Sequence, residues 1–171
     1  MHIALIAKAG TMDTGIGRYA FELERWLQAE GHQVSIVNPV VIFPRWLVNW
    51  IYRLLGWDLE AFFQNYPIWA RYPKADLYHL TSQTLATLML LRRPPGSVVV
   101  TVHDTIPWLV HSDSDLRSYH HRFEKWFDRL ALRGIRRVDW VLTDSDFSAD
   151  SLASLAIGDP PPVDTVYLGI G

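Results

Sequence analysis

The residues at the start of the first predicted helix could hold a phosphate group. The run Gly15-Ile16-Gly17-Arg18 combines two glycines, which let a ligand approach the backbone closely, with a helix N-terminus, whose unpaired N–H groups attract anions. The run departs from the dinucleotide pattern G-x-G-x-x-G, because Ala20 stands at the last position, and it lacks the G-K-[ST] of a P-loop. On spacing alone, a tight turn between a strand and a helix explains the run equally well.

The second candidate site begins with a histidine and an aspartate. His103 and Asp104 follow the apolar run at positions 98–102. An imidazole there could donate to a sugar hydroxyl or a phosphate, and a carboxylate could accept a hydrogen bond or act as a base. The alternative is that Asp104 caps a turn and His103 is a packed side chain. Their position directly after a predicted strand favours a functional role.

A third polar loop, Thr143-Asp144-Ser145-Asp146-Phe147-Ser148, precedes a short predicted helix. Asp144 and Ser145 are both candidate N-caps, and Asp146 would stand in the first turn, where the helix dipole favours a negative charge. Helix capping is therefore the main interpretation of this loop, even if a ligand passes close to it.

Short strands and amphipathic helices alternate along the chain and would position these loops. The predicted strands are His2–Ala7, Val34–Val37, Asp76–Leu80, Val98–His103, Trp140–Thr143 and Thr165–Tyr167. The predicted helices are Ile16–Glu30, Leu116–Arg137 and Phe147–Ala156. This order predicts an α/β fold with a mostly parallel sheet and helices on both faces. Ligands of such sheets bind outside the carboxyl ends of the strands, where all three loops lie.

Composition excludes several classes of protein. A length of 171 residues suits one domain, and a formal net charge of −2 gives no basic surface for nucleic acid. The chain has no cysteine, so it has no disulfide framework and no thiolate metal site, and we expect no metal. No apolar stretch is long enough to span a membrane, and MHIALIAKAG reads as a buried first strand and not as a signal peptide.

The aromatic segment Pro44–Tyr72 does not fit the alternating pattern. An apolar stripe at helical spacing predicts a helix there, and it comprises Trp46, Leu47, Trp50, Ile51, Leu54 and Leu55. We expect most of this stripe to be buried, with Trp46, Trp50 or Tyr52 partly exposed beside the ligand site and helping to bind an acceptor. A helix of this kind also suits a membrane interface, whereas the simplest alternative is a core helix packed on the sheet.

Four motifs in this order resemble a known family. They are the Gly-Ile-Gly-Arg-Tyr helix start, T-V-H-D-T-I-P after a strand, V-L-T-D-S-D-F-S before a helix, and P-P-V-D-T-V-Y-L-G-I-G near the end. Together they resemble the N-terminal domain of the retaining family-four glycosyltransferases, which have the GT-B fold of two Rossmann-like domains. The resemblance extends from Ile3 to Gly171 and implies that the predicted sheet is one Rossmann-like half of that fold.

The resemblance also implies roles for individual residues near the donor. Gly15 and Gly17 match the glycine loop that lies near the donor diphosphate, and Arg18 matches a position that is often arginine in the family. These three residues are our candidates for binding the donor phosphate.

Further residues match the family's active site. His103 matches the histidine that lines the site near the donor sugar and the acceptor, and Asp104 matches the acidic position after it, which makes this pair our catalytic candidates. Ser145 and Ser148 match serines of the strand-to-helix turn and are candidates for lining the site.

The resemblance implies an incomplete enzyme. Residues 1–171 would form a single N-terminal, acceptor-side domain, with 158–171 as the start of an inter-domain linker. The nucleotide-sugar donor would be a co-substrate, with no other cofactor, and would be bound mainly by a C-terminal domain supplied by the same full-length chain or by a separate one. The acceptor would be a glycan or a lipid-linked sugar. We expect a cytoplasmic protein that has peripheral contact with the inner face of the membrane and is inactive in isolation.

Two other classes of function remain as alternatives. One is a non-catalytic module that binds a glycan or a lipid. The other is a nucleotide-binding Rossmann domain of an oxidoreductase, which is weakened by the glycine spacing and because Asn38-Pro39, and no acidic residue, follows Val37.

Overall fold

A computed structural model describes residues 1–8, 14–110, 122–155 and 161–167. Its strands are β1 His2–Ile6, β2 Gln33–Val37, β3 Leu77–Leu80, β4 Ser97–Val102, β5 Trp140–Thr143 and β6 Val163–Thr165. Its helices are α1 Gly15–Ala29, α2 Arg45–Leu55, α3 Leu59–Asn65, α4 Leu88–Leu91, α5 Ile106–Leu109, α6 Arg122–Ile135 and α7 Asp146–Ser154, with a 3₁₀ helix at Gln83–Thr87.

The six strands form one parallel sheet in the order β2-β1-β3-β4-β5-β6. Strand β4 shows why these residues form such a sheet, since Val98, Val100 and Val102 are fully buried and Thr101 on the opposite face is 3% exposed. Near-continuous burial of this kind is typical of parallel strands that are covered on both faces. The predicted α/β class and parallel sheet are confirmed.

Alternate residues of β1 enter two separate apolar clusters, one on each face of the sheet. Ala4 and Ile6 belong to the larger cluster, which also contains residues of the 3₁₀ helix, α4, α6 and α7. Ile3 and Leu5 belong to a smaller cluster with Leu27 of α1. Side chains of a strand alternate between its faces, so the two clusters show that helices cover both sides of the sheet.

Helix α6 approaches the 3₁₀ helix closely because one of its residues has no side chain. A Cβ atom built on Gly134 would lie only 1.9 Å from the carbonyl oxygen of Ala86. No real Cβ atom can occupy that place without moving one backbone away from the other. Gly134 therefore fixes the distance between α6 and the 3₁₀ helix.

A buried histidine links two central strands. His79 of β3 is 6% exposed, and its Nε2 lies 2.7 Å from the Oγ1 of Thr101 on β4. Burial, with a smaller contribution from the charge of His103, lowers the pKa of His79 to about 4. The imidazole is therefore neutral in the folded protein at pH 7.

Several predicted boundaries differ from the observed ones. The last strand lies two residues earlier than Thr165–Tyr167, because Val163 pairs with Val141 and Thr165 pairs with Thr143. Residues 163–165 of the segment expected to start a linker thus belong to the sheet. The helical stretch 83–91 was not predicted. Residues 116–121 of the predicted helix Leu116–Arg137 lie outside the described residues, as does Ala156 of Phe147–Ala156.

The expected burial of the aromatic helix is wrong. Segment 44–72 does contain helices, but no residue of α2 is buried. Leu54 and Leu55 of the stripe are 63% and 65% exposed, and Leu47 and Ile51 are only half-buried. The expected exposure of Trp46, Trp50 and Tyr52 is confirmed, since they are 71%, 56% and 58% exposed. The physical reason is that α2 packs chiefly on the short helix α3 and not on the sheet, so too little protein surface is available to cover its apolar stripe.

We predict that Gly134→Ala lowers the free energy of unfolding by about 2 kcal/mol, because the cost of forcing a methyl group into packed backbone exceeds the gain of about 1 kcal/mol in helix propensity. Urea denaturation measures this. Gly15→Ala is the control, since a Cβ atom there meets no atom within 4 Å and should change stability little. A Gly134→Ala variant as stable as the wild type would show that α6 does not lie this close to Ala86.

We also predict that His79 makes the fold sensitive to acid. Between pH of about 6.5 and about 4 the unfolded chain binds a proton at His79 that the folded chain does not, so the free energy of unfolding falls as the pH is lowered through that window. His79→Gln should remove this contribution. The stability difference between wild type and variant, measured by urea denaturation, should therefore shift in the variant's favour as pH falls. A difference that is constant from neutral to acidic pH would contradict the assignment.

Candidate active site

His103 lies at the carboxyl edge of the sheet between groups from both neighbouring strands. Its Nε2 is 2.9 Å from the carbonyl oxygen of Thr81, the residue after β3, and its Nδ1 is 3.3 Å from Oδ2 of Asp144, the residue after β5. A carbonyl oxygen only accepts hydrogen bonds, so Nε2–H is the donor to Thr81. When the ring is protonated, Nδ1–H donates to the Asp144 carboxylate, and the two residues form an ion pair. The strand order thus gives His103 a fixed orientation.

Two further side chains hold the His103 loop. The Tyr19 ring of α1 meets the His103 ring edge-on, with ring centroids 4.8 Å apart. The Gln83 amide makes two bonds, because its Oε1 accepts from the backbone N–H of His103 at 3.3 Å and its Nε2 donates to the carbonyl oxygen of Asp104 at 3.0 Å. The loop is therefore held both from α1 and from the 3₁₀ helix.

Tyr19 connects the site to the buried interior. Its hydroxyl lies 2.9 Å from Oγ1 of Thr101, the same oxygen that contacts His79. Burial raises the pKa of Tyr19 above its ordinary value, the charge of Asp144 adds to this, and the hydrogen bond to Thr101 opposes it. The phenol stays protonated at neutral pH and serves as a fixed, uncharged wall of the site.

These contacts limit what His103 can do in this arrangement. Its side chain is 14% exposed, and both ring nitrogens face protein acceptors. The ring is suited to place a positive charge or a polarised N–H at the edge of the sheet, where an anionic group can be stabilised. Hydrogen bonding to a ligand would require one of the two ring nitrogens to exchange its protein partner.

Asp104 shows the turn-capping contact that was its simpler interpretation. Its Oδ1 accepts from the backbone N–H of Ile106 at 2.7 Å, where α5 begins. Asp104 also lines a cavity of about 150 Å³, together with Tyr66, Gln83, Thr84, Pro107, Trp108, Glu124 and Asp128. Three carboxylates and an indole suit this cavity to a hydroxyl-bearing ligand, since carboxylates accept hydrogen bonds from hydroxyls. The catalytic role of Asp104 stays a prediction.

The start of α1 borders a larger cavity. Thr14 is the N-cap, and its side chain accepts from the backbone N–H of Gly17 at 3.1 Å. Next to it is a cavity of about 310 Å³, lined by Ala7, Lys8, Thr14, Ile16, Gly17, Ala20, Ala61, Gln64 and Asn65. Gly15 has open space where a side chain would stand, and Arg18 is exposed. The glycine run therefore leaves room for a ligand, although its phosphate-binding role stays a prediction.

Lys8 adds a cation to the wall of this cavity. Burial lowers the pKa of Lys8, and the charge of Asp128 partly offsets the change. Asp128 is 5% exposed and accepts a hydrogen bond of 2.8 Å from the hydroxyl of Tyr66. The charge of Asp128, in the wall of the smaller cavity, therefore acts on Lys8, in the wall of the larger one.

Ser145 and Ser148 make the contacts that helix capping requires. The Ser145 hydroxyl accepts from the backbone N–H of Ser148 at 3.3 Å and donates to its Oγ at 3.0 Å. Ser148 is 3% exposed. Of the two candidate caps, Ser145 caps α7, whereas Asp144 contacts His103.

The structure brings the loop after β4 and the loop after β5 together, as expected from their places after parallel strands. Sequence reasoning missed the site contacts of Tyr19, Thr81, Gln83 and Lys8. The polar run Thr81–Thr84 directly after an apolar strand was the signal that could have identified two of them. Trp46, Trp50 and Tyr52 lie on α2, whose contacts are chiefly with α3.

The described residues contain neither a cluster of metal ligands nor a membrane-spanning helix. Within residues 1–8, 14–110, 122–155 and 161–167, no group of three or more His, Asp or Glu side chains is arranged to hold a metal ion. In the same part of the chain, no helix has both the length and the apolar character needed to cross a membrane.

Comparison with known proteins identifies the fold's family. The model of Glycosyltransferase Family 4 matches residues 14–170. One relative is the Escherichia coli (strain K12) protein named as a colanic acid biosynthesis glycosyl transferase, WcaI, which is 42% identical over 36 residues. That alignment covers 21% of this chain and 9% of the relative. The family match spans most of the chain and includes every loop described above, so this chain belongs to glycosyltransferase family 4.

Proposed function

We propose that this chain is the N-terminal, acceptor-binding half of a retaining hexosyltransferase. The full enzyme transfers a sugar from a nucleotide-sugar donor to a glycan or a lipid-linked acceptor. The observation that carries the proposal is the position of His103, held between Thr81 and Asp144 at the carboxyl edge of the sheet and directly before Asp104, which lines the smaller cavity. Ligands of parallel sheets bind at this edge.

Each cavity suits one substrate. The cavity beside α1 has a helix N-terminus, Gly17 and Lys8 in its wall, so it suits the donor diphosphate. Gly15 and Arg18, which flank this lining in sequence, are the further candidates for contacting the diphosphate. The cavity beside Asp104 has carboxylates that would accept hydrogen bonds from acceptor hydroxyls. His103 directly precedes Asp104, so its positive charge, or an N–H released from Thr81 or Asp144, would stabilise the oxygen at which negative charge develops as the donor bond breaks.

The rest of the machinery belongs to a partner domain. A C-terminal donor-binding domain, in the same full-length chain or a separate one, would hold the nucleotide and close over this edge. Transfer requires donor and acceptor to be held in register, and one wall of a cleft cannot do that alone. We place the enzyme in the cytoplasm, which agrees with a chain that has no cysteine.

The proposal is tested by comparing the 171-residue chain with the full transferase. The isolated chain should give no multiple-turnover release of nucleotide from UDP- and GDP-sugars. In the full enzyme, His103→Ala should lower kcat by about 10²-fold, the usual scale for losing a positioned polar group. Asp144→Asn should lower kcat by about tenfold with little change in KM for the donor, since it weakens the orientation of His103 but leaves the ring in place.

The matched control is His32→Ala, because His32 lies before β2 at the opposite edge of the sheet. Its kcat should equal that of the wild type, and thermal unfolding should show that all variants are folded. A His103→Ala enzyme with normal kcat would refute the catalytic role. A full-length protein that binds glycans but never releases nucleotide would favour a non-catalytic binding module.

A further inference from the structure

Helix α2 presents an apolar stripe that the described protein does not cover. Trp46, Trp50 and Leu54 are spaced four residues apart, so they lie on one side of the helix, and they are 71%, 56% and 63% exposed. A stripe of this length extends about 12 Å along the helix. Exposed side chains of this size in a continuous row mark an interaction surface more often than isolated ones do.

The side of α2 next to this exposed row faces the protein. Leu47, Val48 and Ile51 are half-buried and face inwards. Pro44 precedes the helix, and Gly56 ends it in the left-handed conformation with a φ of 65°. The exposed stripe is therefore presented by a helix with defined ends and a defined inward face.

Basic side chains flank the stripe. Arg45 and Arg53 are exposed and stand one residue before Trp46 and Leu54, so they form a parallel row beside the apolar one. The helix Arg45–Leu55 contains no acidic residue. The nearest acids in sequence are Asp58, whose Oδ1 caps α3 by accepting from the backbone N–H of Ala61, and Glu60 on the first turn of α3. The surface of α2 itself is thus aromatic and positively charged.

We propose that α2 is an interfacial helix that binds an anionic lipid surface. An 11-residue helix is about 16 Å long, which is too short to span a bilayer but sufficient to lie flat in its interface. The stripe Trp46, Trp50 and Leu54 enters the boundary between headgroups and acyl chains, where tryptophan rings are stable because one part of the ring is apolar and its N–H is polar. Arg45 and Arg53 contact the anionic headgroups, and this charge complementarity favours lipid over a neutral surface.

A cavity beside α2 would lie near the lipid surface that α2 binds. It measures about 620 Å³ and lies between α2, α3 and the segment after β2, and its polar lining comes from Asn38, Arg45, Asn49, Glu60 and Gln64. With the stripe in the interface, this cavity lies on the far side of α2, one helix diameter (about 10 Å) from the stripe. At that height it would admit the sugar of a lipid-linked molecule. This consequence rests on the proposed function, whereas the membrane contact does not.

Co-sedimentation of the 171-residue chain with vesicles tests the proposal. The chain should bind vesicles of phosphatidylcholine and phosphatidylglycerol more tightly than vesicles of phosphatidylcholine alone. Trp46→Ser with Trp50→Ser should weaken binding by about tenfold or more, because two large apolar contacts are lost. Arg45→Gln with Arg53→Gln should remove most of the preference for the anionic vesicles, as should salt at about 0.5 M.

Trp26→Ser is the matched control, since Trp26 is 59% exposed but lies on α1. It should bind vesicles as the wild type does. A wild-type chain that stays in the supernatant with both kinds of vesicle would overturn the proposal and leave a protein partner for the stripe. Equal binding by the wild type and the double-tryptophan variant would also overturn it. The test needs no sugar transfer, so its failure is distinguishable from failure of the proposed function.

Discussion

The site depends on the position of β4 between β3 and β5 in a parallel sheet. Because all three strands run in the same direction, the residues that follow them meet at one edge. Thr81 and Asp144 therefore reach His103 from its two sides, although they are 22 and 41 residues away in sequence. Without this strand order, the histidine would have neither the carbonyl acceptor nor the carboxylate that orient its ring.

A second set of contacts links the packed core to the loop that carries His103 and Asp104. Gly134 lets α6 rest against the backbone of Ala86, which places the 3₁₀ helix. Gln83 at the start of that helix then holds the backbone of both His103 and Asp104. The loop is thus held from the 3₁₀ helix, whose position depends on the contact of Gly134 with Ala86, and from α1 by the ring of Tyr19. Loops held on several sides in this way keep functional groups in one arrangement.

The sequence allowed the sheet and the site loops to be predicted, but not the contacts between them. Apolar, β-branched runs such as 98–102 identify buried strands, and polar residues after them identify the binding edge. The pairing of His103 with Asp144 depends on strand order, which these patterns do not specify. The stretch 83–91 was missed because its residues 85–89 are buried all round and show no amphipathic period. The stripe of α2 was correctly predicted as a stripe, but its period does not reveal whether protein covers it.

A crystal structure of the full-length transferase bound to its nucleotide sugar tests the central claim most directly. That claim is that the carboxyl edge around His103 is one wall of the transfer site. The account predicts the donor diphosphate against the backbone of Gly15 to Gly17, and the transferred sugar over the carboxyl ends of β3, β4 and β5 beside His103. A donor bound at another face of this domain, with His103 still enclosed between Thr81 and Asp144 and remote from every ligand atom, would contradict it.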